Sequence, residues 1–187
     1  MALRKLKNIK HNGKQLTDIL EAHDKFFRGG DGGARADLTG ADLSRADLSG
    51  TNLSGAILRG ANLAESDLRK AKLPGADLSS ANLHKADIRS ADLTEAILPG
   101  ADLSEAQASG VEFFRCDLSF VNFQRAQLRN VNLRLANVNG AKFSGADMGV
   151  AILRETDLQG ADLSGVDLST TLLPKGFTPP QSKQKTA

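Results

Sequence analysis

At 187 residues, with 40% hydrophobic and 25% charged residues and a formal net charge of +2, the chain has the length and balance of a single domain. No stretch approaches the roughly 20 consecutive apolar residues of a membrane-spanning helix, and the basic start MALRKLKNIKHNGKQ lacks the apolar core of a secretory signal. One cysteine, Cys116, excludes an internal disulfide and suits a reducing, cytoplasmic setting.

The small net charge hides a segregation. Residues 1–33 carry seven Lys/Arg against four Asp/Glu, residues 34–173 carry fourteen against eighteen, and residues 174–187 add three lysines and no acid. Basic ends of this kind keep a terminus solvated, or make weak contact with nucleic acid or an anionic surface. Residues 1–33 read as a basic arm and a capping helix. Between Gln15 and Arg28, Leu16, Ile19, Leu20, His23, Phe26 and Phe27 fall at mostly helical spacing, and Gly29, Gly30, Gly32 and Gly33 end the pattern. The helix is expected to cap the repeated segment that begins just beyond these glycines; a detachable partner-binding helix is the other reading. His23 reads as a helix-surface or packing residue.

From Ala36 to Leu173 the chain repeats every five residues, twenty-eight times without insertion or deletion. A large apolar residue occupies every fifth position from Leu38, Ala108 being the exception. Two residues earlier sits a small residue, alanine in nineteen repeats, and the position between is Asp or Asn in nineteen. A period of five fits neither helix nor strand, so the segment is an array. In Ala-Asp-Leu-Ser-Gly at residues 46–50, the first three side chains alternate small-in, polar-out, large-in, and the last two are turn types. Such a unit cannot bury its leucine alone and must wind into stacked coils. Taken every twenty residues, Gly40, Gly60, Gly100, Gly140 and Gly160 share one column, interrupted by Ser80 and Phe120. That favours four units per coil and about seven coils, a rod roughly 30–35 Å long at strand-like spacing.

Tandem A(D/N)Lxx units, as in Ala41-Asp42-Leu43-Ser44-Arg45 and Ala161-Asp162-Leu163-Ser164-Gly165, resemble the pentapeptide-repeat family. The resemblance implies an all-β solenoid, a right-handed quadrilateral β-helix with parallel bridges between coils; handedness and squareness come from the family. It thus assigns residues 34–173 to the β-helix, while residues 174–187, with Pro179, Pro180 and three lysines, read as a flexible tail.

The array lapses in a few places. Ala108 underfills a core slot while Val111, Phe113, Val121 and Phe123 enlarge neighbouring ones, as dense packing requires. Phe114 and Phe120 stand at corners and are expected to point outward. Ile57 and Ile97 replace Asp/Asn on one face, and with Pro99 and Phe120 they outline an apolar strip, a candidate contact site for a protein partner. Near the end, Leu172 is expected to face out; with Leu173 and Phe177 it forms either a folded-back cap or the contact of a homodimer. The resemblance supports the second option, because family members that act on topoisomerases dimerise through their C-terminal ends.

No residues converge for catalysis. His11, His23 and His84 are scattered, no Cys/His set has zinc spacing, and serines lack a paired base. No cofactor is expected. Stacked Asp47, Asp67 and Asp87 suggest calcium, but Arg69, Arg89 and Arg129 share their side of the array, and a ladder of ion pairs explains both sets. With neither Trp nor Tyr, surfaces for stacking single strands are scarce, and the arginines sit among aspartates, which argues against a duplex site. Ice binding predicts threonine columns that are absent. The reading is a non-enzymatic protein-interaction rod; the alternative, from the family, is a DNA-mimicking modulator of a type II topoisomerase of the gyrase-protecting, quinolone-resistance type.

Overall fold

A computed structural model describes residues 2–178. The five-residue unit is built by two local hydrogen bonds. From Ala41 onward the N–H of the small residue bonds the carbonyl of the preceding large one in every unit but that of Val131, as Ala41 does to Leu38 at 3.0 Å, closing a four-residue turn. The third residue of that turn has positive φ (Gly40 +66°, Arg45 +54°), the signature of a type II turn. Each of the nineteen Asp/Asn residues then accepts the backbone N–H two residues on, at 2.9–3.3 Å. This Asx contact explains the residue choice: the short side chain reaches the corner amide, occupying a donor that the coil itself leaves unused.

Corners turn the chain through four faces, and each coil lands on the next at a constant offset of twenty residues. Parallel bridges join Asp37 to Ile57, Asp42 to Asn62, Asp47 to Asp67 and Asn52 to Lys72, and this order continues up the rod to Ile152 and Leu172. Four units per coil, expected from the glycine column, is therefore observed. The faces starting at Asp37, Asp42, Asp47 and Asn52 are here called A, B, C and D.

Inside run stacked columns of Leu and Ala that are almost fully buried. Each buried leucine contributes about 1.5–3 kcal/mol relative to exposure. The enlarged middle slots pack as aromatics: Phe113 meets Phe123 edge to face at 5.8 Å, and Phe123 stacks on Phe143 at 5.1 Å. Ala108 and Phe113 occupy adjacent units of one coil, so the missing and added volumes lie side by side. The turn bond is longest at Val111, 3.3 Å. Where a small slot is polar, its side chain finds a carbonyl: Thr156 Oγ1 bonds Leu133 O at 2.6 Å and Cys116 Sγ bonds Leu93 O at 2.8 Å. Burial pushes the Cys116 thiol up to about 12, so it is a packing residue.

A cover closes the first coil. Arg4 bridges Ala46 in parallel, accepting Asp47 N–H at 3.0 Å, and its guanidinium reaches Asp42 at 3.0 Å. A 3-10 turn at Leu6–Asn8 leads into the hairpin β1 (Lys10–His11) and β2 (Lys14–Gln15), turned by Asn12 and Gly13, both with positive φ. Helix α1 (Leu16–Phe27) follows, within the expected span. Ile9, Leu16 and His23 are buried between this layer and the coil. His23 belongs to the core: Nδ1 accepts the Ala36 N–H at 3.0 Å, which places the ring proton on Nε2. Burial, with a smaller effect from Arg35, lowers its pKa below 6.5; the Ser54 backbone favours the protonated ring, yet Nε2 makes no ordinary hydrogen bond. Gly33 lets the chain return against the helix, since a methyl there would lie 2.5 Å from Phe26 N.

At the far end Leu158, Leu163 and Leu168 are slightly exposed, and Leu173 and Phe177 pack half-buried on the core, while Leu172 faces outward. The tail expected over residues 174–187 lies outside the described residues from 179 onward.

Candidate functional site

The outward surface is mostly self-contained polar structure. Along face C, Arg69 pairs with Asp67 at 2.6 Å and reaches Asp87 at 3.7 Å, Arg89 pairs with Asp87 at 2.6 Å, and Arg129 pairs with Asp147 at 3.3 Å. The expected ion-pair ladder is present. Among the described residues no group of three or more His, Cys, Asp or Glu is placed to hold a metal ion. Face B carries amides that donate between coils: Asn62 to Asp42, Asn82 to Asn62 and Asn122 to Asp102, at 3.0–3.3 Å.

Face A differs. Ile57 and Ile97 lie in its column, Pro74, Phe114 and Leu135 at the corner leading into it, and Pro99 and Phe120 at the corner leading out. Faces B and C, with the corner between them, carry no large apolar residue. Phe120 is 65% exposed, Leu135 44% and Ile97 42%, while Ile57 and Phe114 are half-buried. The structure thus places Ile57, Ile97, Pro99 and Phe120 along one side, as the spacing predicts. It modifies Phe114: this ring is not a free outward side chain, for the Arg115 guanidinium lies over it at 5.0 Å. Sequence reasoning passed over Leu135 and Pro74, which the twenty-residue register puts on the same side. Leu135 and Ala136 also line a shallow depression of about 650 Å³ with Asn139, Glu155, Asp157 and Gly160.

Charges frame the strip and pair along it. Glu95 holds Arg115 at 3.4 Å and Arg134 holds Glu155 at 2.9 Å, while Arg59 grips Asp77. Burial works against the Asp77 carboxylate, but hydrogen bonds from Ser79 and Arg59 outweigh it and keep the pKa below the ordinary value. A second, smaller apolar group closes face D: Val150 at its corner, Ile152, and Leu172, which bridges Ile152. Leu172 is therefore continuous with Ile152, a residue the sequence reading did not single out; Leu173 and Phe177 point instead toward the core.

These features define a β-helical scaffold whose sides are surfaces. The chain belongs to the pentapeptide repeat family: the family model, described as pentapeptide repeats, matches in overlapping copies spanning residues 34–69, 61–100, 86–113, 96–134, 112–149 and 132–169. No curated protein gives a sequence match. Among solved structures the chain is similar to a trypsin-treated form of QnrB1, a plasmid-mediated fluoroquinolone resistance protein, at 24% identity over 75% of this chain and 71% of that one, with a TM-score of 0.71. It is also similar to HetL, a pentapeptide repeat protein involved in heterocyst differentiation regulation from the cyanobacterium Nostoc sp. strain PCC 7120, at 28% identity over 77% of this chain and 87% of that one, TM-score 0.48. The fold is accordingly the right-handed quadrilateral β-helix, with α1 as its N-terminal cap. Among the described residues no helix is long and apolar enough to cross a membrane.

Proposed function

We propose that the protein is a non-enzymatic interaction rod that engages a protein partner through face A, with Ile57, Ile97, Phe114 and Phe120 as contact residues. The observation that carries this reading is the segregation of outward apolar residues: seven stand on face A and its two corners, and none of comparable size on faces B and C. A water-facing rod with interchangeable sides would scatter them. Exposed aromatic and branched residues framed by paired charges resemble the apolar centre and polar rim of protein interfaces. Leu172, with Ile152 and Val150, forms a second contact area at the C-terminal coil, open to a homodimer, whereas Leu173 and Phe177 serve as its cap. Recovery of bound proteins from the native host, with Ile97→Glu/Phe120→Glu as the comparison, tests the reading. Selective loss of a captured protein supports it; an identical set from both baits contradicts it.

The alternative, modulation of a type II topoisomerase by imitation of DNA, draws support from the likeness to the fluoroquinolone resistance protein. A DNA mimic needs a line of uncompensated negative charge. Here the face C carboxylates Asp67, Asp87 and Asp147 are neutralised by Arg69, Arg89 and Arg129. The interaction rod is therefore the preferred reading. A gyrase supercoiling assay separates the two, since mimicry requires that micromolar protein change the drug's inhibition.

A further inference from the structure

We infer that the N-terminal end of the rod is a docking surface for an anionic lipid bilayer. Leu3, Phe26 and Phe27 are 41%, 48% and 51% exposed and precede the repeats in the chain, with the Phe27 ring beside Gly55 of the first coil. Phe26 meets Phe27 edge to face at 5.5 Å, so the two rings form one aromatic ridge at the end of α1. Residues 2–17 hold Arg4, Lys5, Lys7, Lys10 and Lys14 and no acid. Arg4 is tied to Asp42, but the four lysines are exposed and, among the described residues, join no ion pair. Beside the ridge, by contrast, Lys25 and Arg28 are balanced by Glu21 at 2.8 Å and Asp24 at 2.7 Å.

These residues belong to one layer. The 3-10 turn and β2 pack against α1, and Leu16 N–H bonds Ile9 O at 2.9 Å. Its inner side seals the first coil through Ile9, Leu16 and His23, while Leu3, Phe26 and the four lysines are exposed.

A bilayer containing anionic lipid satisfies both halves of this surface. Lysines reach headgroup phosphates and carboxylates on flexible stems, each adding to the attraction, while rings and a leucine settle at the boundary between headgroups and acyl chains. Duplex nucleic acid would satisfy the lysines but leave Leu3 and Phe26 in water. The docking surface adjoins face A only where Phe27 lies beside Gly55, at the corner of the first coil, and the rest of that face runs along the side, so a docked rod leaves it open. This inference stands whether or not face A binds a protein.

The test is co-sedimentation of the full chain with phosphatidylcholine vesicles, with and without about 30% phosphatidylserine, an anionic lipid of the kind that attracts polybasic segments. The expected result is a preference for the anionic vesicles of about tenfold or more, abolished by the combined changes Lys5→Gln, Lys7→Gln, Lys10→Gln and Lys14→Gln. Phe26→Ser should weaken binding about threefold or more at fixed salt, since it removes the apolar contact alone. Thermal melts establish that the variants fold; should the fourfold variant fail, Lys7→Glu with Lys10→Glu takes its place. Equal binding to both vesicles, or a preference that survives loss of the lysines, overturns the inference. So does duplex DNA that binds as tightly as the vesicles and is indifferent to Phe26→Ser.

Discussion

The ring of Phe120 lies on the backbone of Gly140, its neighbour one coil further along the same corner: a methyl added at Gly140 would stand 2.5 Å from Cδ1 of the ring. The most exposed aromatic of the array is thus seated rather than free, and glycine makes the seat. Both residues hold positive φ, +58° at Phe120 and +69° at Gly140. Gly140→Ala is expected to cost about 1–2 kcal/mol, from left-handed strain and displacement of the ring. Part of that cost should vanish in the Phe120→Ala background, and a double-mutant cycle by urea unfolding measures the coupling. Strict additivity would show that the contact carries no energy.

Val150 is a branched residue at φ +60°, a conformation such side chains avoid, and it is 46% exposed, so packing does not oblige it. Val150→Asn keeps the backbone N–H that donates to Thr170 Oγ1 at 3.2 Å and tolerates the turn. Stability should rise by about 1 kcal/mol, read as a higher melting temperature.

At Asp102 the repeated corner contact can be tested by size. Its Oδ1 accepts the Ser104 N–H and the Asn122 amide, both at 3.0 Å. Asp102→Ala should lose about 1 kcal/mol or slightly more, Asp102→Asn little, and Asp102→Glu should behave like the alanine variant because the longer side chain overshoots the amide. Denaturant midpoints distinguish these outcomes.

Acid should loosen the molecule in two steps. Hydrogen bonds from Thr39, Ser44 and Arg69 lower the pKa of Asp37, Asp42 and Asp67 below the ordinary 3.8. The unfolded chain therefore takes up these protons first, and the stability they confer is full above that value and lost as pH falls through the folded ones. His23 acts earlier. Its folded pKa lies below 6.5, so stability is full above 6.5 and declines as pH drops from there toward the folded value. Chemical unfolding from pH 8 to pH 3 should show both declines, and His23→Leu should remove the first.

Much of the fold is legible in the sequence because its information is local and repeated: Ala36 and Leu38 state the inward pattern, and the glycine column around Phe120 states the coil length. The cover is less legible. Arg4 joins the sheet beside Ala46, and nothing periodic announces a pairing across that distance; only Asn12-Gly13 signals the hairpin. The preference for Asp and Asn is visible as a pattern, but its cause is a hydrogen bond of about 3 Å that only the turn geometry creates. Of the contact residues, Ile57, Ile97 and Phe120 are readable as lapses in the outward pattern. Leu135 hides in a corner column that otherwise holds Gly, Glu and Arg and so announces no apolar pattern, and the cover that Arg115 places over Phe114 depends on side-chain direction.

The most direct test of an interaction face is site-specific photocrosslinking in the native host. A photoreactive residue at Phe120 or Leu135, at one edge or the other of face A, is set against one at Gln124 or Ser144, between faces B and C. Face A positions are predicted to yield a discrete crosslinked protein whose yield falls sharply with Ile97→Glu, while the other positions yield none. Equal crosslinking from both sides, or a product unaffected by Ile97→Glu, would contradict the assignment of face A as the interaction surface.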